Sequence, residues 1–214
     1  MGLTIYDAGS MLPTDSAEYE LLIAAAEEAS SVPGMGCEIG VRRGGGSRMI
    51  MDAFIRRGVF KTHVMVDPWG DIEYLTTEEN RVRYYTDYTN QMRMKFYAEL
   101  GVYYEGKLVN PVPVNMEDSE FFARYADGFP TYVDGRGKVV ETQYCVVHLD
   151  GPHSSAPVNL EIDFFAPRMP PGAMLVCDDT NLYDHWDKTH PHALSSGFEE
   201  RARGQRKVVY RKKE

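Results

Sequence analysis

Short apolar runs that stop at acidic residues constrain this chain more than any other feature. Thr62–Val66 stops at Asp67, Tyr144–Leu149 at Asp150, and 173–177 at Asp178-Asp179. Another run, 36–41, contains Glu38 and opens into Arg42-Arg43-Gly44-Gly45-Gly46-Ser47. Continuous apolar runs of this length suit strands buried on both faces. Helical patterns at 14–30, 47–57, 77–100, 119–126 and 158–166 separate them, with one more short strand at 111–114. The alternation predicts an α/β fold with a mostly parallel sheet and helices on both faces. The end, 197–213, reads as a hairpin, so the sheet gains an antiparallel edge. A second hairpin is predicted at 132–142, around Asp134-Gly135. Ligands of open α/β sheets bind outside the carboxyl ends of the strands, which is where these acids stand.

The 214 residues, 43% of them hydrophobic, suffice for one full core. A single domain over 1–214 is expected, with an N-terminal helix at 14–30 and lid or insertion segments at 77–100 and 132–142. Asp15 with Glu18 resembles a capping box for that first helix. Its apolar stripe offers a surface for a homo-oligomer. The net charge of −9 argues against a nucleic-acid partner. Seven basic residues against three acidic ones make the tail 199–214 +4, leaving −13 elsewhere; the plain reading is a solvated edge hairpin. No apolar run approaches the ~18 residues of a membrane span. With no signal-peptide pattern at the start, a cytoplasmic protein without membrane contact is expected. Cys37, Cys145 and Cys177 are widely spaced within or beside apolar runs, and read as reduced core residues.

The glycine loop has the spacing E-x-G-x-x-x-G, from Glu38, Gly40 and Gly44. It is neither the G-x-G-x-x-G of a dinucleotide site nor a Walker loop, since no Gly-Lys-Ser/Thr follows. By itself it is a strand-to-helix turn that lets a ligand approach the backbone.

Glu38-Ile39-Gly40 with Gly44 resembles the first motif of class I S-adenosylmethionine-dependent methyltransferases. Asp67 matches the acid that ends the second strand of that fold. His148-Leu149-Asp150-Gly151-Pro152-His153-Ser154 is similar to the D-x-x-H motif of one subgroup. That subgroup holds the macrocin and mycinamicin sugar O-methyltransferases and cephalosporin-hydroxylase-like proteins, and its fifth strand ends in paired acids, as Asp178-Asp179 do here. The resemblance covers 38–179 and the final hairpin, but not the tyrosine-rich segment or the 130s hairpin. It implies a Rossmann-like, seven-stranded, mostly parallel sheet with an antiparallel C-terminal hairpin. It further implies that Glu38, Gly40, Gly44 and Ser47 lie along the methionine end of S-adenosylmethionine, with Asp150 bordering it. Asp67 would hold the ribose, Glu117 or Asp118 would sit near the adenine, and Trp69 would form a wall or belong to the core or a lid.

Methyl transfer from a sulfonium needs chiefly alignment of the acceptor and removal of its proton. Asp150, Asp178 and Asp179 would converge, and three close carboxylates are costly without a cation. All-oxygen ligation suits Mg²⁺ first, then Mn²⁺ or Ca²⁺; the alternative is that some of these acids are strand-end anchors. His153, three residues after Asp150, is a general base, a further metal ligand or a structural histidine. His185, His190 and His192 read as a loop near the site opening or as plain surface. Tyr84, Tyr85 and Tyr88 read as an acceptor lid or as packing residues. The expected activity is divalent-metal-assisted O-methyl transfer to a small hydroxylated acceptor: a sugar, a glycoside or a diol. The rivals are metal-independent methyl transfer and a non-catalytic S-adenosylmethionine-binding module.

Overall fold

The computed structural model describes residues 16–69, 73–76, 81–84, 89–133, 135 and 137–214. Helix α1 (Tyr19–Ala29) is followed by β1 (Met35–Ile39), α2 (Gly45–Arg56) and β2 (Thr62–Val66). A small hairpin, β3 (Glu73–Thr76) with β4 (Arg81–Tyr84), precedes α3 (Asn90–Tyr104) and β5 (Asn110–Val114). Then come α4 (Asp118–Arg124), the hairpin β6 (Phe129–Val133) with β7 (Gly137–Glu141), β8 (Tyr144–Leu149) and α5 (Ser155–Phe165). Strand β9 (Met174–Cys177), a π-helical turn (His185–Thr189), α6 (His190–Ser195), β10 (Phe198–Arg203) and β11 (Val208–Lys212) complete the chain.

Seven strands form one sheet in the order β10-β11-β9-β8-β1-β2-β5. Strand β11 runs antiparallel to both its neighbours, and the remaining pairs are parallel. The expected Rossmann-like sheet with its C-terminal hairpin is therefore present. Strands β1, β2, β8 and β9 are buried at every position, as their unbroken apolar runs require.

Beyond the ends of these strands the ladder continues for one more residue. Asp67 N–H donates to Val114 C=O (3.1 Å), Gly40 to Val66 (3.0 Å), Asp150 to Ile39 (2.9 Å) and Asp178 to Leu149 (3.0 Å). The strand-end acids thus stand in a row along one edge, each held by its own backbone. Their side chains are left to other tasks.

One face of the sheet packs against α4 and α5 through Phe121, Ile162 and Phe165. The other packs against α1 and α2 through Leu22, Ala25, Ala26, Ile50 and Phe54. The apolar stripe of α1 is spent inside the chain, so it is not the oligomer surface expected from the sequence. All three cysteines are buried and free, as expected.

Two helix expectations change. The segment 77–100 is not one helix: β4 falls inside it, and α3 begins at Asn90, where Thr89 caps the helix by accepting from Met92 N–H (3.1 Å). Thr89 supplies a start signal that the apolar periodicity alone does not reveal. Tyr85, Tyr88 and the side chain of Tyr84 lie outside the described residues. Helix α1 begins at Tyr19 rather than 14. Asp15 of the proposed capping box lies outside the described residues, and Glu18 stands at the N-cap position without a side-chain cap bond to its own helix. Its carboxylate instead accepts the amides of Gln205 (2.7 Å), Arg206 (2.9 Å) and Lys207 (2.9 Å).

Candidate active site

The loop between β1 and α2 fits around other parts of the protein. Gly40 has φ 82°, and a Cβ there would lie 2.2 Å from Asp150 C=O. A Cβ on Gly46 would lie 2.0 Å from Glu38 Oε1. These glycines allow the protein to close on itself beside the cleft, a reason additional to ligand approach. Gly44 leads directly into α2, whose first turn carries Ser47.

Asp67 is 1% exposed. Its Oδ2 accepts the amides of Val41 (2.9 Å) and Arg42 (2.8 Å). Its Oδ1 is buried with no hydrogen-bond partner among the described residues. Burial pushes its pKa up to about 6, against the lowering effect of those two amides. A buried acceptor oxygen beside a glycine loop fits a ribose diol.

Glu38, on β1, sits in a buried polar chain. Its Oε2 accepts from Ser47 Oγ, and its Oε1 lies 2.8 Å from His148 Nδ1 on β8. Ser47 Oγ is also 2.9 Å from His63 Nε2 on β2. Burial, and then His148, hold His63 down to about 3, so it is neutral at physiological pH. Glu38 is paired directly with His148 across the sheet. The sequence signal for this chain is polar residues inside otherwise apolar runs.

A cleft with about 530 Å³ of empty space is lined by Glu38, Gly40, Arg43, Asp150, His153 and Asp179, among others. His153 is 25% exposed, and its Nε2 lies 3.4 Å from Asp179 Oδ2. The Tyr183 ring stacks against it at 6.4 Å. Asp179 has φ 51°, an uncommon backbone conformation for a residue with a side chain. His153 and Asp150, the two predicted catalytic residues, therefore meet in one cleft.

The three predicted metal ligands are arranged differently from the expectation. Lys207 Nζ lies 2.5 Å from Asp178 Oδ2, and both side chains are fully buried. Ser16 Oγ also donates to that oxygen. Arg206 Nε lies 2.8 Å from Asp179 Oδ1, with Nη2 on the same atom. Burial and the adjacent Asp178 push Asp150 well above the carboxylate range. Burial acts the same way on Asp178, but His148 and Lys207 outweigh it and hold that carboxyl below its usual value. Asp178 and Asp179 are each held by a protein cation, so the three acids do not fit as a ready donor set for a hard divalent ion. Among the described residues, the group whose ligand atoms converge within 4.8 Å is Glu38, His148 and Asp150. There Glu38 and His148 already hold each other.

Other predicted residues lie apart from this cleft. Trp69 is 3% exposed, stacks on Phe96 at 5.5 Å and donates from Nε1 to Arg42 C=O (2.7 Å). It belongs to the packing under the loop and holds the loop backbone. Glu117 is exposed at the start of α4. Asp118 accepts from Ser119 N–H (2.7 Å), and after burial it is the neighbour that pushes the buried Glu161 carboxyl well above its usual range. His185 and His190 both bond to the buried Tyr210 hydroxyl, at 3.1 and 2.9 Å, and His192 bonds to Asp163. They are packing and surface contacts of α6, and none lines the cleft. Sequence reasoning missed Lys207, Arg206, Gly46 and the His63–Ser47–Glu38–His148 chain.

The sequence family described as a methyltransferase domain matches residues 37–180, the span from β1 to the turn after β9. The chain belongs to that family. Solved structures share the methyltransferase fold. The O-methyltransferase NovP is 15% identical at a TM-score of 0.56, covering 92% of this chain and 79% of NovP. The calicheamicin methyltransferase CalS11 is 13% identical at 0.61, with 90% and 77% covered. The O-methyltransferase TomG from Streptomyces achromogenes, involved in tomaymycin synthesis, is 13% identical at 0.52, with 95% and 82% covered. No curated protein sequence matches. The expected class I, S-adenosylmethionine-dependent methyltransferase is thus met in family and fold. No helix among the described residues is long and apolar enough to cross a membrane.

Proposed function

We propose that this methyltransferase is an O-methyltransferase of a small hydroxylated acceptor (a sugar, glycoside or diol), with His153 as general base. The observation that carries this reading is the convergence of His153, Asp179, Asp150 and Glu38 on the cleft beside the glycine loop. The names of the fold relatives support it, since CalS11 is described as a TDP-rhamnose 3′-O-methyltransferase and TomG and NovP as O-methyltransferases.

S-adenosylmethionine held in the cleft would supply a methyl group activated on a sulfonium. Asp67 Oδ1 would hold the ribose hydroxyls. Glu38 and the start of α2 border the methionine end. An adenine end that extends past Asp67 toward the turn between β5 and α4 would approach Glu117 and Asp118, outside the lining of the cleft. His153 takes the hydroxyl proton of the acceptor, while Asp179 and Tyr183 hold the imidazole in place. Asp179 also offsets the positive charge that His153 gains.

The test is transfer of labelled methyl from S-adenosylmethionine to a panel of sugars, glycosides and diols. Product with the wild type, reduced ~10²–10⁴-fold in His153→Ala, is the expected result. Binding of S-adenosylhomocysteine with no product from any acceptor would instead favour a non-catalytic binding module.

A further inference from the structure

Three features converge on the short segment that opens β11. Lys207 is 0% exposed and has its Nζ on Asp178 Oδ2 and on Ser16 Oγ. Arg206, beside it, lines the cleft and grips Asp179 through Nε and Nη2. The backbone is clamped on both sides. Thr180 N–H and Oγ donate to Arg206 C=O at 2.8 and 3.0 Å, and Glu18 receives the amides of residues 205–207. Five hydrogen bonds thus fix the backbone from which the two cations reach the acids.

A divalent ion sits ~2.0–2.6 Å from its carboxylate oxygens. At Asp178 Oδ2 and Asp179 Oδ1 it would have to displace an ammonium and a guanidinium, while Asp178 Oδ1 already accepts Asp179 N–H and Asp179 Oδ2 faces His153 Nε2. The displaced Lys207 would remain buried without its counter-charge, which is strongly unfavourable.

We propose that this enzyme transfers methyl groups without a divalent ion, because Lys207 and Arg206 are built-in counter-charges for the strand-end carboxylates. They are positioning residues. Lys207 holds Asp178 beside Asp150, and Arg206 orients Asp179, which in turn orients His153. The proposal rests on the reading of the cleft as a methyl-transfer site, but its central test does not.

That test is a Mn²⁺ titration, followed by electron paramagnetic resonance, of the full chain and of Arg206→Gln and Lys207→Met. The wild type is expected to bind no ion stoichiometrically. The variants, with a carboxylate released, are expected to bind Mn²⁺ about tenfold more tightly or better. Stoichiometric Mn²⁺ binding by the wild type overturns the proposal, as does affinity unchanged in the folded Arg206→Gln variant. That variant alters a partly exposed side chain, so the result stands even where Lys207→Met fails to fold. NMR titration of His153 in Arg206→Gln adds a readout that simple packing would not move. The less neutralised Asp179 should raise the His153 pKa, and an unmoved value counts against the proposal. In the acceptor panel, turnover should be the same in EDTA and in Mg²⁺. Loss of turnover in EDTA overturns the proposal. Absence of product under both conditions removes the methyl-transfer reading, while the Mn²⁺ titration still decides the counter-charge.

Discussion

Asp67 divides its carboxylate between two tasks. One oxygen fastens the loop at Val41 and Arg42, and the other is a buried acceptor with no hydrogen-bond partner among the described residues. Its pKa of about 6 lies above the ordinary aspartate value, so the ionised form exists mainly above that pH. Cofactor affinity should therefore fall as the pH drops through about 6, measured by calorimetry with S-adenosylhomocysteine. Asp67→Asn should flatten this dependence and weaken binding by about 1–3 kcal/mol. The unbound protein should show the opposite sign. Because burial disfavours the charge, the stability cost at Asp67 is present above pH 6 and is relieved as the pH falls toward 4. At His153, Asp179→Asn should lower turnover less than His153→Ala does, since it removes orientation but leaves the imidazole. Equal losses in the two variants would make Asp179 more than an orienting group.

At the scale of elements, the turn from β1 into α2 is shaped by what surrounds it. Gly46 has no room for a side chain because Glu38 and His148 occupy that space from neighbouring strands. Gly46→Ala should destabilise the fold by about 1–3 kcal/mol in urea unfolding, through overpacking. Much of this region was legible beforehand. The apolar runs located β1, β2, β8 and β9, and the acids that end them fall where the ladder's last amides hold them. The described parts of 73–104 were not legible in the same way. Tyrosines fit helix and strand alike, and here β3 and β4 pair with each other as a local hairpin. The histidines after β9 misled for a related reason. They read as a loop near the opening or as plain surface, yet His185 and His190 share one buried hydroxyl on β11.

Across the whole molecule, Glu18 ties the beginning of α1 to the turn before β11, almost the full chain length away. Burial raises the Glu18 pKa, but the three amides and Lys207 lower it by more, and the net shift is downward. The stability it contributes is thus present above pH 4.5 and lost as the pH falls through its folded value. Glu18→Gln should cost ~1 kcal/mol near neutral pH and remove part of the acid sensitivity in thermal melts. An unchanged acid limb would mean that the clamp is unimportant.

The sequence by itself determined the sheet, its strand-end acids and the family. Uninterrupted apolar runs of this length, alternating with helices, suit the inner strands of a parallel sheet, whose carboxyl ends share one edge. Asp67, Asp150 and His153 could be named because their roles depend on those ends. What neutralises the acids is a different matter. Lys207 and Arg206 look in sequence like members of a solvated basic tail, since charge patterning gives no distances. Only the antiparallel return of β11 beside β9 brings them within ion-pair range of Asp178 and Asp179. Coulombic pairing depends on separation in space, so the tertiary structure, and not the order of residues, decided that the counter-charge comes from the chain itself.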